Sequence, residues 1–364
     1  MIWVTWRQQR TETLIAALLL VFVAALIVPT GLHMASVYDS EAVAACLSAD
    51  TEACRQTLGS FSGRWDSLMN FVGWLNLVPV LLGALIAAPL VLEFERGTFR
   101  LAWTQSVSRD RWLATRVALV VAASLATGLF FALLMTWWRD PLDDVNGRFS
   151  DAFDLEGVVP LAYTLFAAAL VLALGVALRR AAAAIGLAFI VFLALRIGIG
   201  NWARPNYQDR IEATWTGDAR PSDLAGAWVF REGGEFRVTD GQPPDPSVVQ
   251  GCIGDPAIKS FDEACLAEHG IRALSFASYH PADRFWTFQA IEAGIFVAMA
   301  LALLAFSIWW IRQEDQLSRR APTRRGTTIA RCPSSPAERS PSCSPTWRTR
   351  RSFSSASVTT TATS

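Results

Sequence analysis

The chain of 364 residues is unusually apolar, because 52% of its side chains are hydrophobic and only 18% are charged. Its 32 basic and 32 acidic residues give a formal net charge of zero, so no overall field favours nucleic acid or an acidic substrate. This composition is typical of a membrane protein and argues against a soluble enzyme. We therefore expect membrane lipid as a partner and no nucleic acid.

Six apolar runs are long enough to cross the hydrocarbon core of a bilayer, which takes about 20 helical residues. Backbone polar groups in lipid must be satisfied within the segment, so each run predicts a helix. The first run is too long for a cleavable signal peptide and predicts a retained span. The sequence thus predicts an all-α polytopic membrane protein with six transmembrane helices, at residues 14–32, 71–92, 117–138, 158–178, 181–199 and 285–311.

The segments around these spans differ in composition. Residues 1–13 form a predicted amphipathic cytoplasmic segment, and residues 14–199 hold spans one to five. Residues 200–284 are rich in Gly, Pro and Asp and contain short strand-like pieces, which predicts a mixed external loop domain between the fifth and sixth spans. Residues 312–364 are rich in Arg, Ser, Pro and Thr, which predicts a disordered basic cytoplasmic tail. The sequence leaves open whether this tail is native or an out-of-frame extension.

The arginines of the short loops set the expected orientation. With the amino terminus inside, nine arginines lie in the short inner segments and four in the short outer loops, which are also acidic. Cytoplasmic loops carry an excess of Lys and Arg. We therefore expect a multi-pass protein of the cell inner (plasma) membrane with both termini in the cytoplasm.

Four of the six cysteines make two close-spaced pairs in predicted external segments, Cys46 with Cys54 and Cys252 with Cys265. If both segments face an oxidising exterior, each pair suits a local disulfide, and the alternative is four free thiols. Neither pair has zinc spacing with a partnering histidine, so we expect no metal site.

Charged residues inside a predicted span are costly and mark candidate functional positions. Arg196 in the fifth span and Glu292 in the sixth lie near the outer ends at similar depth, which predicts a possible ion pair. The alternative is that Arg196 extends to the lipid headgroups while Glu292 faces water.

The sequence contains no phosphate-binding loop with its lysine, no serine-nucleophile elbow and no zinc-protease motif. The chain therefore does not hydrolyse ATP by the phosphate-loop route. We expect no catalytic residue and no cofactor.

The inner loop between the second and third spans, residues 93–116, carries the most informative motif. Glu93 and Glu95 leave the predicted membrane span, and Gly97 permits a sharp bend directly after them. From physical chemistry alone, this segment fits an ordinary interfacial connector as well as a functional loop.

A short amphipathic helix is predicted to follow the bend. Thr98 is placed to cap it by accepting a hydrogen bond from a free backbone N–H. Phe99 and Trp103 lie on one face by their spacing, with polar residues turned away, as a helix lying along the membrane surface requires.

The motif Glu-x-Glu-x-Gly-Thr at 93–98, followed by the amphipathic segment and a turn containing Ser-x-x-Arg, resembles the cytoplasmic loop of ABC transporter permeases of type 2. The longer stretch Leu-Ala-Trp-Thr-Gln-Ser-Val-Ser-Arg is similar to permeases of this group from actinobacteria. The six-span layout agrees with the resemblance, which covers residues 1–312.

The resemblance implies a membrane-spanning permease subunit without catalytic activity. In that family the loop forms a coupling helix that docks on a separate ATP-hydrolysing subunit. It implies an exporter built from a homodimer or heterodimer of permease chains with ATP-binding cassette ATPase subunits. Neither the substrate, the direction of transport nor the identity of the ATPase follows from the sequence.

Two other classes of protein stay open beside the permease. One is a non-transporting membrane sensor or scaffold whose external loop binds a ligand. The other is an intramembrane enzyme, although the spans are poor in the Asp, His and Ser residues that such a site needs.

Overall fold

The computed structural model describes residues 2–49, 51–97, 109–149, 153–216, 220–238, 244–252 and 263–320. The chain divides into a compact unit, Met1–Gln316, and a second unit, Leu317–Ser364. The described α-helices, in chain order, are α1 (Ile2–Ser40), α2 (Val43–Cys46), α3 (Glu52–Val72), α4 (Val78–Arg96), α5 (Arg109–Asn146), α6 (Val159–Leu178), α7 (Ala181–Gly198), α8 (Pro246–Gly251), α9 (Glu263–Glu268) and α10 (Phe285–Arg320).

Among the described residues, six helical segments are long and apolar enough to span a membrane, which confirms the predicted fold class. They fall on α1, on α3 with α4, and on α5, α6, α7 and α10. Large aromatic side chains near the ends of these segments stay exposed, among them Trp74, Trp202, Trp286 and Trp309. Such amphipathic rings favour the headgroup layer of a bilayer. The protein is therefore a multi-pass membrane protein.

The helices run beyond the apolar runs that predicted them. Residues 2–13 are the first turns of α1, and α4 and α5 take in both ends of the predicted 93–116 loop. The segment predicted as a tail begins at residue 312, and α10 extends through its first residues to Arg320. Helical hydrogen bonding continues into this segment because Gln, Glu and Arg are good helix formers. The rest of the predicted tail, residues 321–364, lies outside the described residues.

α6 is the central helix of the bundle, buried along almost its whole length. Two glycines allow it to approach α4 closely. A Cβ on Gly83 of α4 would lie 2.7 Å from the backbone nitrogen of Ala168, and a Cβ on Gly175 of α6 would lie 2.4 Å from a methyl of Val91. Small residues permit this kind of contact between membrane helices.

The bundle has two ends, which we name by what lies there. The loop end holds the last turn of α4, the first turn of α5 and the two-residue connection between α6 and α7. Arg179 makes this connection in the left-handed conformation, with φ of 52°, and its N–H donates to the carbonyl of Gly175. The sheet end holds the opposite ends of these helices together with a small β-sheet.

Three antiparallel strands form that sheet in the order β1-β3-β2. They are β1 (Ile211–Thr216), β2 (Trp228–Val238) and β3 (Ile271–His280). The register of β2 with β3 shifts between Val229 and Arg231. This sheet fits the predicted loop domain between the fifth and sixth spans.

The sequence patterns above did not predict α3, which precedes α4 at the sheet end. Its buried residues Phe61, Trp65 and Val72 lie on one face, while the opposite face is exposed. Phe61 packs against Tyr38 of α1 with ring centroids 5.7 Å apart. A short 3-10 turn, Gly73–Leu77, joins α3 to α4.

Candidate functional site

At the loop end, one hydrogen bond joins α4 to α7. Glu95 Oε2 accepts from the backbone N–H of Ala181 at 2.9 Å. Ala181 begins α7, where backbone N–H groups lack partners within the helix, and the preceding Arg180 makes no capping bond with its side chain. Glu95 therefore caps α7 from another helix and places its negative charge at the positive end of the helix dipole.

Glu93 joins α4 to α5. Its Oε1 lies 2.9 Å from Nη2 of Arg116, and the two side chains are only 18% and 7% exposed. Phe94 packs edge-on against Trp112 beside this pair, with ring centroids 6.4 Å apart. Removing one partner of a buried ion pair typically destabilises a protein by about 3–5 kcal/mol. The two sides of the loop are thus held together where they enter the bundle.

Three of the predicted coupling residues can be placed in the structure. Glu93 and Glu95 lie in the last turn of α4, and Gly97 ends that helix with φ of 67°, a conformation that glycine adopts without strain. Thr98, Phe99 and Trp103 lie outside the described residues. We call Glu93, Glu95, Arg116 and Ala181 the loop-end anchor.

The sheet end holds a group of buried charged and phenolic side chains, which we call the sheet-end cluster. Its members come from the loop before α6, from α6 and α7, from the turn after α7 and from α10. They are Asp154, Tyr163, Arg196, Arg204 and Glu292.

Gln289 of α10 fixes the loop that carries Asp154. Its Oε1 accepts hydrogen bonds from the backbone N–H groups of Val158 and Val159, both at 3.0 Å, and its Nε2 donates to the carbonyl of Phe153 at 2.8 Å. The Gln289 side chain is fully buried. It therefore caps the first turn of α6 from a neighbouring helix.

The chain changes helical pitch after α7, and this change brings Arg204 into the cluster. Ile199–Ala203 form a π-helical turn, and a 3-10 turn, Arg204–Asn206, follows directly. π-helical turns are rare and occur frequently at functional sites.

Arg204 bridges the two carboxylates of the cluster. Its Nε and Nη2 donate to the two oxygens of Glu292, both at 2.7 Å, and Nη2 also donates to Asp154. Arg196 Nη2 donates to the second oxygen of Asp154 at 2.7 Å. The Tyr163 hydroxyl lies 2.9 Å from Asp154 Oδ1 and 2.5 Å from Glu292 Oε1. Two arginines thus balance two carboxylates in one network.

The predicted direct pair between Arg196 and Glu292 is replaced by this network. Arg196 pairs with Asp154 and Glu292 with Arg204, so the two predicted residues share a cluster without a direct bond among the described contacts. Glu292 is fully buried and does not face water. Sequence reasoning missed Asp154 and Arg204 because both lie outside the predicted spans. A charged residue is common there and does not indicate a functional site.

Burial alone would raise the pKa of Asp154, but the neighbouring guanidinium groups of Arg204 and Arg196 outweigh it and hold that pKa below its usual range. Asp154 is therefore ionised at neutral pH, as its place between two arginines requires.

A cavity of about 460 Å³ opens beside the sheet-end cluster. Its volume falls in the range of small-ligand pockets, which is about 300–1,000 Å³. Phe149 stacks with Phe153 and with Trp228 on one side, at centroid distances of 6.2 and 5.9 Å. Asp154, Arg196, Arg204, Ile197, Gly200 and Asn201 line the remainder.

A second buried acidic group lies at the sheet end, between α5 and the loop before α6. Asp143 and Glu156 are 8% and 1% exposed, and Arg139 holds Asp143 Oδ1 at 2.8 Å. Neither oxygen of Glu156 meets a donor among the described residues. Burial, together with a hydrogen bond to Asp143 and the charge of Asp143, raises the pKa of Glu156 to about 9. Glu156 therefore carries a proton at neutral pH, and this proton supplies the donor of the pair.

Both predicted cysteine pairs are bonded in the structure. Cys46 is joined to Cys54 with the Cα atoms 4.9 Å apart, and Cys252 to Cys265 with the Cα atoms 5.5 Å apart. Both separations are ordinary for disulfides. His269 lies close to the second pair, but bonded sulfurs are not thiolates and do not ligate zinc.

The membrane-spanning segments of the described chain define a multi-pass membrane protein. Residues 17–204, more than half of the chain, match the family described as ABC-2 membrane transporter related, and the chain belongs to this family. Such proteins are the membrane components of transporters, and they generally work with an ATPase subunit. Comparison with curated proteins and with solved structures gave no match.

Proposed function

We propose that this chain is the permease subunit of an ATP-driven exporter in the cell membrane. A separate ATP-binding cassette ATPase drives it through the loop between α4 and α5. Two permease chains, identical or different, enclose the transport path, and the loop end faces the cytoplasm.

The loop-end anchor is the observation that carries this proposal. Glu93 and Arg116 join the two sides of the loop, and Glu95 joins them to the first residue of α7, Ala181. A displacement of the loop would therefore be passed to three helices at once. An ordinary connector needs neither the buried ion pair nor the cap on a third helix, because exposed loops satisfy their polar groups with water.

The mechanism that follows is mechanical. ATP-driven closure of the partner subunits would move the loop, and α4, α5 and α7 would move with it. α6 packs tightly on α4 through Gly83 and Gly175, so the motion would reach the bundle centre. The transport path would open alternately to the two sides of the membrane.

The first test separates docking of the ATPase from transmission of its motion. The full chain is purified in mild detergent as wild type, Trp103→Ala and Glu95→Ala. We expect wild type to retain an ATPase subunit and Trp103→Ala to lose most of it. Glu95→Ala should still retain the ATPase but reduce coupled ATP hydrolysis several-fold, since losing one charged hydrogen bond typically costs about 1.5–3 kcal/mol.

Glu52→Ala is the matched control, because Glu52 is an exposed carboxylate at the sheet end, 69% exposed in its pair with Arg55. It should match wild type in both measurements. Failure of wild type to retain any ATPase would reject the permease proposal and favour the sensor or scaffold. Equal loss of coupling in Glu52→Ala and Glu95→Ala would reject the anchor as the path of transmission.

A further inference from the structure

The donors and acceptors of the sheet-end cluster do not balance. Each oxygen of Asp154 and Glu292 already accepts at least one hydrogen bond from within the cluster. An arginine side chain carries five N–H donors. Arg196 uses Nη2 for Asp154, its side chain makes no other hydrogen bond among the described contacts, and this side chain is still 14% exposed where it lines the cavity. What the cluster lacks beside Arg196 is an acceptor.

The charges around the cavity favour an anion over a cation. The cluster as a whole is neutral, and Asp154 is shared between two guanidinium groups. A cation entering the cavity would meet both Arg196 and Arg204, which line it. An anion would meet Asp154, whose charge is already balanced by two arginines, and Arg196, which has N–H donors that are not used within the cluster.

The other wall of the cavity suits an apolar body. Phe149, Phe153 and Trp228 line it, and Arg204 lies over the Phe153 ring at 4.1 Å from its centroid. Aromatic side chains bind planar apolar groups by stacking and by edge contacts. Pockets for small molecules combine such apolar walls with a few placed polar groups.

The π-helical turn leaves this space open. Gly200 belongs to that turn, and a Cβ on it would lie 3.8 Å from Nη2 of Arg204. A larger side chain at this position would therefore project into the space beside the guanidinium group.

We infer that the cavity at the sheet end binds a small organic anion with an aromatic body. Its acidic group takes the spare donors of Arg196, and its ring lies against Phe149, Phe153 and Trp228. The inference does not rest on coupling to an ATPase, since it concerns binding to the permease chain alone.

The test uses the purified full chain in lipid nanodiscs and 2-naphthoate as the probe, with 2-naphthylmethylammonium as its cationic counterpart. Binding is measured by titration calorimetry, with empty nanodiscs as the background. We expect saturable binding of the anion, and weaker binding by about ten-fold or more in Arg196→Gln, the loss typical of one charged hydrogen bond. The cation should show no saturable binding.

Gly200→Leu keeps every charge of the cluster and should abolish binding by filling the cavity. Gly198→Leu is its matched control, because a Cβ on Gly198 meets no atom within 4 Å and Gly198 does not line the cavity. The control should bind as wild type does, and thermal unfolding checks that each variant is folded. Equal binding by Gly200→Leu and wild type, preference for the cation, or no saturable anion binding up to about 1 mM would each overturn the inference.

Discussion

Two buried carboxyl groups of this protein, those of Asp154 and Glu156, differ in their protonation at neutral pH. Asp154 lies between two arginines and stays ionised, whereas Glu156, only two residues further on, faces Asp143 and holds a proton. Both carboxyls are taken out of water, so the difference comes from the charge of the nearest partner. Arg139 and Arg148 also face the Asp143–Glu156 pair, but they do not outweigh burial and the neighbouring carboxylate.

The proton on Glu156 predicts a pH dependence of stability. The folded protein keeps this proton up to about pH 9, while the unfolded chain releases it near the ordinary value of 4.5. The stabilisation is therefore complete below the unfolded value and is lost as the pH rises through the folded value. Glu156→Gln mimics the protonated form at every pH. We expect it to unfold at a higher temperature than wild type at pH 9 and to flatten the decline between pH 5 and pH 9.

The measurement is thermal unfolding of the purified chain in detergent at several pH values. Glu52→Gln serves as the control, because this carboxylate is exposed and its replacement should leave the wild-type pH profile unchanged. If Glu156→Gln declined with pH as steeply as wild type does, the proton would not reside on this residue.

Among the elements, the contact between α4 and α6 should tolerate no added volume. A Cβ on Gly83 would fall 2.7 Å from the backbone nitrogen of Ala168 and 2.8 Å from the carbonyl oxygen of Thr164, and backbone atoms cannot move aside alone. We expect Gly83→Ala to destabilise the bundle by about 1–3 kcal/mol, as overpacking usually does. Thermal unfolding of the purified chain measures this loss.

Gly186→Ala on α7 is the matched control, since a Cβ there meets no atom within 4 Å. Alanine is the better helix former, so this change should be neutral or stabilising by about 0.5–1 kcal/mol. At the second contact, Gly175→Ala would press on Val91, and Val91→Ala in the same chain should restore part of the stability. Equal behaviour of Gly83→Ala and Gly186→Ala would mean that the two helices are not in close contact.

The existence of the membrane-spanning helices followed from the sequence, but their ends did not. A run of about 20 apolar residues has few alternatives in lipid, so all six runs were found. Helices stop where hydrogen bonding stops, not where apolar residues stop, and α10 passes the predicted end by about two and a half turns. α3 was not predicted because its apolar residues occupy one face only and do not form a continuous apolar run. The helical spacing of those residues was the signal that could have revealed it.

The sheet-end cluster was predictable only in part, because its members are far apart in the sequence. Arg196 and Glu292 stood out as charges within apolar runs. Their actual partners come from a loop and from a turn that only the folded chain brings near: Asp154 lies 42 residues before Arg196, and Arg204 lies 88 residues before Glu292. Glu93 and Glu95 differ from these residues, because both belong to one short motif that the sequence shows directly.

For the molecule as a whole, the two ends of the bundle carry different chemistry. The loop end gathers the end of α4, the start of α7 and the first turns of α5, which Glu93 and Arg116 link to α4. The sheet end gathers the β-sheet, the cavity and both bonded cysteine pairs. Backbone contact fixes the sheet against the bundle, since a Cβ on Gly147 would lie 2.4 Å from Cα of Gly226.

This division predicts how the six cysteines behave in cells. Disulfides persist outside the cytoplasm and are reduced within it. If the sheet end faces outward, Cys46 with Cys54 and Cys252 with Cys265 stay bonded, while Cys332 and Cys343 of the proposed cytoplasmic tail stay free. Gel-shift labelling of denatured membranes with a maleimide polymer should then add two labels before reduction and six after it. A variant with Cys332 and Cys343 both replaced by Ser should take none before reduction and four after. Six labels without reduction would place the sheet end in the reducing compartment and reverse the proposed orientation, because the same cysteines cannot stay bonded there.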